Sequence, residues 1–276
     1  MKNDLLSIHH DFDAAWNRHD LTSIMNHFSD DAVVTTIPPP AGMPDRFSGK
    51  SEIQTFVQGL LPGFSVQTRH VHADGDRVTW FATIASDGFR QIGVPALDSE
   101  CEAVFSQGKI RSFTPSFTPA TIAVLQAATA QHEGAALARE IYTLFNAGKM
   151  TQALPFAAED VALTLVPFGQ QFQGHEGFLA FMEGFKTAFP DCTVNLTRQI
   201  SAPGRVVNEF VARGTHLGPM MTPSGTIPPT GRSIDYAACE VWTLEDGKLA
   251  TLHNYFDAAT VMNQLGLTPA HETAAF

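Results

Sequence analysis

Apolar and polar positions along the chain follow two periodicities, a helical one and an alternating one, and each occurs in both halves of the chain. Residues 8–16 carry apolar side chains at i, i+4, i+7 and i+8, and residues 137–145 repeat that spacing. This is the pattern of one buried helix face. A shared F-x-G, at residues 47–49 and 172–174, is expected to lead into a second helix in each half. The pattern therefore predicts two helices at the start of each half.

Alternation with period two follows the helices in both halves. Residues 65–85 and 193–214 each read as two strands about a central turn, D-G-D in the first and P-G in the second. Residues 99–118 and 238–257 each read as two more strands about a Gly-Lys turn. Helices followed by antiparallel strands indicate an α+β domain with helices on one face of a curved sheet.

Because the same order of elements occurs twice, the chain is interpreted as a tandem duplication. We place the first domain at residues 1–126, a linker at 127–133 and the second domain at 134–276. Repeats of this length indicate duplication rather than a solenoid, whose units are far shorter. The two domains are expected to pack as an intramolecular pseudo-dimer, and a further homodimer is compatible with this organisation.

The composition of the chain argues against several classes of function. The chain has 276 residues, 44% of them hydrophobic, and a formal net charge of −11. It has no run of Lys or Arg such as nucleic acid or an anionic membrane requires. It also lacks signal-peptide features and any apolar run of about 18 residues, so we expect a cytoplasmic protein. The three scattered cysteines show no metal spacing and no phosphate-binding loop is present, so we expect neither a metal nor a cofactor.

Residues 185–266 carry six marks in order: FKTAFPD, GTHLG, IPPTGRS, LEDGKL, HNYFD and NQLG. This series resembles the SnoaL-like polyketide cyclases, also called ester cyclase-like proteins, of the nuclear transport factor 2-like superfamily. The resemblance covers about residues 135–267. Residues 1–127 resemble the superfamily only through their element pattern, as a diverged second copy that lacks GTHxG and PPTGR.

The resemblance implies a cone-shaped α+β barrel, in which a curved antiparallel sheet wraps a hydrophobic pocket closed by helices. The family's cyclases close a ring in a polyketide ester by intramolecular aldol chemistry, without cofactor or metal. Their acid/base is an aspartate at the end of the last strand, where this chain has Asp257. A histidine on the preceding strand assists, and an ungapped count places Thr243 there. That departure puts the cyclase reaction itself in question.

The residues around Asp257 allow proton chemistry in their own right. Because a strand alternates faces, Asp257, Tyr255 and His253 point to the same side, whichever side that is. A carboxylate in an apolar pocket has a raised pKa and can remove a proton next to a carbonyl. His253 or Tyr255 would then hydrogen-bond the developing enolate oxygen. The matching positions in the first half, within residues 114–118, carry only hydroxyls.

A structural role for Asp257 is equally compatible with the residues. The sequence DAATVMNQL begins with a favoured helix N-cap and continues with good helix formers. The first half offers a comparable cap in Thr118-Pro119. Capping does not exclude catalysis, so both readings stay open at this point.

Further candidates lie outside the last strand. His216, in GTHLG, would bind substrate or polarise a carbonyl at the pocket mouth, or else serve as a structural histidine. Arg232, in PPTGR, would anchor a carboxylate or ester, or pair with surface acids. Glu209 and Asp235 lie on strands whose facing is undecided, so each is a pocket acid or a solvated group. The large apolar residues assigned to the pocket, or otherwise to the core, are Trp242, Phe185 and Met182.

Three functions remain open. The leading hypothesis is a cofactor-independent cyclase-type or isomerase-type enzyme for a small hydrophobic carbonyl or polyketide-like compound, with Asp257 as base and His253, Tyr255 or His216 assisting. The second is a non-catalytic small-molecule-binding protein. The third is an epoxide hydrolase-like enzyme, favoured only if Glu209, Asp235 and His216 converge. In each case the first domain is interpreted as a packing partner without its own titratable pocket, and His9 as solvated helix surface.

Overall fold

The computed structural model describes residues 2–39, 43–222 and 225–267. The chain divides into two compact units, Met1–Thr129 and Ala130–Phe276. None of the helices in the described part of the chain is long and apolar enough to cross a membrane.

The first unit contains the predicted helices and the predicted run of strands, but two further strands, which the apolar pattern did not predict, lie between the helices. Its elements are α1 (Lys2–Asn17), α2 (Leu21–Asn26), β1 (Phe28–Thr35), β2 (Arg46–Ser48), α3 (Gly49–Leu60), β3 (Ser65–Asp74), β4 (Arg77–Ala85), α4 (Asp87–Gln91), β5 (Leu97–Ser106) and β6 (Lys109–Phe117).

The second unit repeats this order. Its elements are α5 (Pro119–Asn146), which begins before the unit boundary, a 3₁₀ segment (Met150–Phe156), β7 (Ala157–Leu165), a 3₁₀ turn (Val166–Phe168), β8 (Gln170–Gln173), α6 (Gly174–Ala188), β9 (Thr193–Ala202), β10 (Arg205–Thr215), β11 (Met220–Thr222), β12 (Gly225–Ile227), β13 (Ser233–Glu245), β14 (Lys248–Phe256) and α7 (Ala258–Gln264).

Each unit has one six-stranded sheet, and the two sheets have the same strand order. The orders are β2-β1-β6-β5-β4-β3 and β8-β7-β14-β13-β10-β9. The sheets are open and mixed, which corrects the expected antiparallel barrel: β1 pairs parallel with β6, and β7 parallel with β14. The hairpin signals in the sequence specify only consecutive strands. A pair joined through helices and further strands is free to be parallel.

The residues expected to form a linker are helical instead. Residues 127–133 lie in the middle of α5. They contain Ala, Gln, Glu and no Pro, so they favour a helix. The glycine that follows them, Gly134, lies close to the sheet, since a Cβ there would lie 2.7 Å from Leu244 Cδ1. This stretch therefore brings α5 against the sheet of the second unit.

The GTHLG motif lies at the end of β10 and contacts the C-terminal end of α6. Leu217 N and Gly218 N both donate to the carbonyl of Ala188, at 3.0 and 3.1 Å. The chain approaches the helix so closely that a Cβ on Gly218 would lie 1.9 Å from the Thr187 carbonyl oxygen. A backbone oxygen cannot yield as a flexible side chain can. Close packing against α6 therefore explains the second glycine of the GTHLG motif.

Gly218→Ala should destabilise the second unit by about 1–3 kcal/mol, the usual cost of inserting a methyl group where there is no room. Gly184→Ala is the matched control, because Gly184 lies in α6 with nothing within 4 Å of the added Cβ. Thermal unfolding should show a lower Tm for the first variant and an unchanged or slightly higher Tm for the second. Equal Tm values for the two variants would contradict the packing account.

Candidate functional site

A cavity of about 550 Å³, counting the open space at its mouth, lies in the second unit. Helices α5 and α6 form one side, and strands β9, β10, β13 and β14 form the other. Most of the lining is apolar or aromatic. These residues are Ile141, Phe145, Phe178, Phe181, Met182, Phe185, Val194, Phe210, Ala212, Trp242 and Leu252.

One carboxyl group lies in this apolar wall. Glu240 is only 4% exposed. Its Oε2 accepts hydrogen bonds from the Tyr142 hydroxyl at 2.5 Å and from Trp242 Nε1 at 2.9 Å. Its Oε1 accepts from Asn254 Nδ2 at 2.7 Å. All three donors are themselves buried, so the carboxyl group is held in one orientation by three groups that cannot easily move.

Burial raises the pKa of Glu240, and the hydrogen bonds from Tyr142, Asn254 and Trp242 oppose that rise. Desolvation penalises the charged carboxylate more than the three donors favour it. Burial also raises the pKa of Tyr142, with a further contribution from the charge of Glu240. The Tyr142 hydroxyl therefore keeps its proton and continues to donate.

The alternation of β13 and β14 places these groups. In β13, Tyr236, Glu240 and Trp242 share one face and line the cavity. In β14, Leu252 and Asn254 line it. Register pairs Glu240 directly with Asn254 across the two strands, and with Asn208 of β10 on the other side. The sequence carried one signal for Glu240, since it lies two residues before Trp242, which we had assigned to the pocket.

A second layer of polar side chains supports Tyr142. Asn208 is fully buried, and its Oδ1 accepts from Gln199 Nε2 at 2.8 Å. Gln199 in turn accepts from Arg139 Nη1 at 2.7 Å. The Asn208 side chain also lowers the pKa of Tyr142, although its Nδ2 has no hydrogen bond of ordinary geometry in the described part of the chain. Polar groups thus continue from Glu240 toward the surface.

The expectation that Asp257 lies in the pocket is wrong. Asp257 is exposed and forms the N-cap of α7, where Oδ1 accepts from Ala259 N at 2.9 Å and Thr260 N at 3.2 Å. The Thr260 hydroxyl, at 2.5 Å from Oδ2, is the main cause that lowers the pKa of Asp257. The capping alternative is the one that the structure contains.

His253 and Tyr255 are exposed together with Asp257, as the period of two requires. The prediction that these three side chains point to the same side of the sheet is therefore correct. The expectation that this side faces the pocket is not. The inward positions of β14 carry Leu252 and Asn254, which offer no acid or base. His253 and Tyr255 are therefore not among the residues that line this cavity.

His216 is buried, but it does not line the cavity. Its Nδ1 accepts from Thr230 N at 3.2 Å and lies 3.1 Å from the Thr230 hydroxyl, and its ring packs on Phe189 with centroids 5.2 Å apart. Burial lowers the pKa of His216. His216 therefore connects the GTHLG loop to the PPTGR loop through Thr230. This is the structural role that the sequence analysis gave as the alternative to substrate binding.

The remaining charged candidates lie outside the cavity. Glu209 and Asp235 are exposed, and Asp235 accepts from Arg213 Nε at 2.8 Å. Arg232 is exposed, with its guanidinium beside Gly266. Glu209, Asp235 and His216 do not converge, so the condition that favoured an epoxide hydrolase-like site is not met. The assigned residues that do line the cavity are Trp242, Phe185 and Met182.

Two family models match the chain one after the other. The SnoaL-like polyketide cyclase model matches residues 135–265, and the SnoaL-like domain model matches residues 9–112. The chain is a tandem of two SnoaL-like domains. The first domain, placed in the family from its element pattern alone, is thus a member in its own right. No curated protein matches the chain.

Single-domain structures match about half of the chain. Three with putative functions are IdmH from Streptomyces antibioticus (polyketide cyclase), a SnoaL-like polyketide cyclase from Jannaschia sp. CCS1, and AclR from Streptomyces galilaeus (hydroxylase). Their identities are 25%, 17% and 21%, and their TM-scores are 0.42, 0.46 and 0.44. They cover 49%, 51% and 50% of this chain, and 99%, 96% and 99% of their own.

The first SnoaL-like domain has different groups at the positions of the cavity site. Strand register places Cys101 where the second domain has Glu240, with Trp80 for Asn208 and Pro115 for Asn254. Trp80 stacks on Phe113 with ring centroids 5.7 Å apart and planes 5° apart. These large rings occupy the region where the second domain keeps space beside its carboxyl group.

The first domain nevertheless keeps titratable groups away from water on α1, and the expectation that His9 is solvated helix surface is wrong. His9 is 3% exposed rather than solvated, and its ring meets Trp80 edge-on at 4.4 Å. Its Nδ1 lies 3.6 Å from Asp13 Oδ2, which also accepts from the Thr68 hydroxyl at 2.6 Å. Burial lowers the pKa of His9 to about 4 and raises the pKa of Asp13 to about 6.

In the described part of the chain, no group of three or more His, Cys, Asp or Glu side chains is placed to hold a metal ion.

Asp13→Asn should stabilise the first domain in a pH-dependent way. Because burial raises the pKa of Asp13 from its ordinary 3.8 to about 6, the contribution of this group to stability is fully present below pH 3.8 and is lost as pH rises through about 6. The loss should reach about 3 kcal/mol relative to the variant by neutral pH.

Urea unfolding in a Trp242→Phe background measures this difference, because fluorescence then reports only Trp16 and Trp80. Asp11→Asn, on the exposed side of the same helix, controls for the lost negative charge. A difference between wild type and Asp13→Asn that does not grow between pH 4 and 6 would contradict the burial account.

Proposed function

We propose that the second SnoaL-like domain is a cofactor-independent enzyme for a small hydrophobic carbonyl compound, with Glu240 as its acid/base. The reaction class is cyclisation or isomerisation through an enolate. One observation carries the proposal. Glu240 is the single carboxyl group among the lining residues, and burial raises its pKa. A carboxyl group whose pKa moves toward neutrality suits proton abstraction next to a carbonyl.

The chemistry uses one proton and one electron pair. The Glu240 carboxylate takes a proton from the carbon next to the carbonyl, and the electron pair of that C–H bond moves to give an enolate. In an isomerisation, Glu240 returns the proton to a different carbon. In an intramolecular aldol closure, the enolate carbon attacks a second carbonyl of the same molecule, and the proton on Glu240 goes to the new alkoxide oxygen.

Tyr142 and Trp242 are assigned supporting roles. Both donate to Oε2, at 2.5 and 2.9 Å, so they fix the carboxyl plane and leave Oε1 with one donor, Asn254. Preorganised donors lower the cost of forming the carboxylate in an apolar wall. Tyr142 also lines the cavity, and its single hydroxyl proton stays directed at Glu240.

The proposal moves the acid/base from the last strand to the strand before it. The resemblance implied an aspartate on the last strand and a histidine on its neighbour. In this chain the cavity-facing pair on those two strands is Asn254 and Glu240, directly opposite each other in register. The carboxyl group is thus on β13, and the last strand supplies an amide.

A non-catalytic binding protein is the second candidate, and one observation favours it. Glu240 already accepts three hydrogen bonds, so its network also has the form of a structural element that merely shapes the pocket. Turnover separates the two candidates, because a binding protein has an affinity but no rate to lose.

The test is exchange of the acidic protons of 2-tetralone with deuterated water, followed by proton NMR. This bicyclic ketone enolises without any partner substrate, so the assay needs no knowledge of the natural one. Wild-type protein should accelerate the loss of the α-proton signals. Glu240→Gln should lower that acceleration by about 10²–10⁴-fold, the usual contribution of general acid–base catalysis. It should still bind 2-tetralone.

Asp257→Asn is the matched control, since Asp257 lies outside the cavity, and it should exchange at the wild-type rate. Binding of 2-tetralone without accelerated exchange in the wild type would favour the binding-protein candidate. Loss of exchange in Asp257→Asn, with exchange retained in Glu240→Gln, would return the role of base to Asp257. Near-ultraviolet circular dichroism checks that each variant keeps its native packing.

A further inference from the structure

Asn254 holds an unpaired acceptor at the cavity wall. Its side chain is only 4% exposed, and its Nδ2 donates to Glu240 Oε1 at 2.7 Å. Its Oδ1 has no hydrogen-bond partner in the part of the chain that the structure describes. The orientation of the amide follows from chemistry. An ionised carboxylate only accepts hydrogen bonds, so the NH₂ group must face Glu240 and the carbonyl must face away from it.

A buried amide carbonyl without a partner is unfavourable, and native proteins seldom keep one without a reason. Asn254 is one of the lining residues, so its side chain borders the cavity, and a ligand that meets Oδ1 must pack directly against this amide. The other polar groups of the lining are Tyr142, Cys192 and Tyr236, all of which keep their protons because burial raises their pKa. The Tyr142 proton is already directed at Glu240.

From this arrangement we infer that the ligand of the second domain carries a hydroxyl group that donates to Asn254 Oδ1. The ligand class is an apolar compound with a hydroxyl donor, as opposed to an ether or a hydrocarbon of the same shape. The inference rests on the proposed function only in taking this cavity as the ligand site. It places the ligand hydroxyl one side chain away from the Glu240 carboxyl.

The first domain supports the assignment by contrast. The position equivalent to Asn254 is Pro115, which has no side-chain acceptor, and the neighbouring region holds the Trp80–Phe113 stack. Recognition of a hydroxyl through this amide is therefore specific to the second domain.

The test compares 2-naphthol with 2-methylnaphthalene, two probes of nearly the same shape that differ in one hydrogen-bond donor. Their dissociation constants are measured at a pH above the titration midpoint of Glu240, where the carboxylate fixes the amide. The quantity of interest is the ratio of the two constants, because it cancels changes in cavity size. In Asn254→Leu the preference for 2-naphthol should fall about tenfold relative to wild type.

Tyr142→Phe is the matched control. It also removes one donor from Glu240, but it leaves Asn254 Oδ1 in place, so the wild-type ratio should persist. An unchanged ratio in Asn254→Leu would overturn the inference. Equal losses in the two variants would overturn it too, because the hydroxyl would then be sensing Glu240.

If Asn254→Leu fails to fold, a crystal structure of the wild type with 2-naphthol decides. The naphthol oxygen should lie within hydrogen-bonding distance of Asn254 Oδ1, and any other position of that oxygen would overturn the inference. Wild-type exchange of 2-tetralone without a preference for 2-naphthol would defeat this inference alone. Failure to bind either probe would defeat it together with the use of the cavity as a ligand site.

Discussion

The second domain is organised around a carboxyl group that has been taken out of water. Glu240 is buried in an apolar wall and is held by hydrogen bonds from Tyr142, Trp242 and Asn254. A buried charge without such partners would be strongly destabilising, because water could no longer solvate it. The three donors come from α5, β13 and β14, so helix and sheet must meet in one arrangement for the carboxyl group to be tolerated. That constraint links the packing of the domain to its proposed chemistry.

The duplication shows how one fold diverges by side-chain exchange at fixed positions. The strand order of the two sheets is the same, and equivalent strand positions can be read from the register. In the first domain, Cys101 replaces the carboxyl group, and burial raises the pKa of its thiol to about 12. Its desolvated acid is instead Asp13, which is partly buried on α1. Each domain thus has an acidic side chain with a pKa raised by desolvation, but on different elements and with different neighbours.

Much of the fold could be predicted from the sequence, because helix and strand periods are set by local geometry. Duplication, the two main helices of each unit and the hairpins all follow from periods of 3.6 and two. The two strands between those helices were not predicted, and the parallel pairing of β7 with β14 could not be predicted this way, since it depends on how distant segments meet. Gly134 was placed at the start of the second domain, and only the packed structure shows how closely it approaches Leu244.

The site was harder to predict, because the absolute facing of a strand is a property of the assembled sheet. The sequence showed that His253, Tyr255 and Asp257 share a side, but not which side. The capping alternative for Asp257 was available and correct. Glu240 was missed because a lone acid in an apolar strand resembles an exposed residue. Its shared parity with Trp242 was the one sequence signal that pointed inward.

Burial is proposed to raise the pKa of Glu240, and a pH titration of its carboxyl carbon measures this pKa directly. Protein labelled with ¹³C at the glutamate carboxyl carbon is titrated by NMR, and the resonance missing in Glu240→Gln gives the assignment. We expect the titration midpoint of Glu240 to lie clearly above the ordinary value of 4.5. In Tyr142→Phe it should be higher still, because that variant lacks a donor that favours the carboxylate. A midpoint at or below 4.5 would show that the hydrogen bonds outweigh burial, and Glu240 would then be a structural carboxylate.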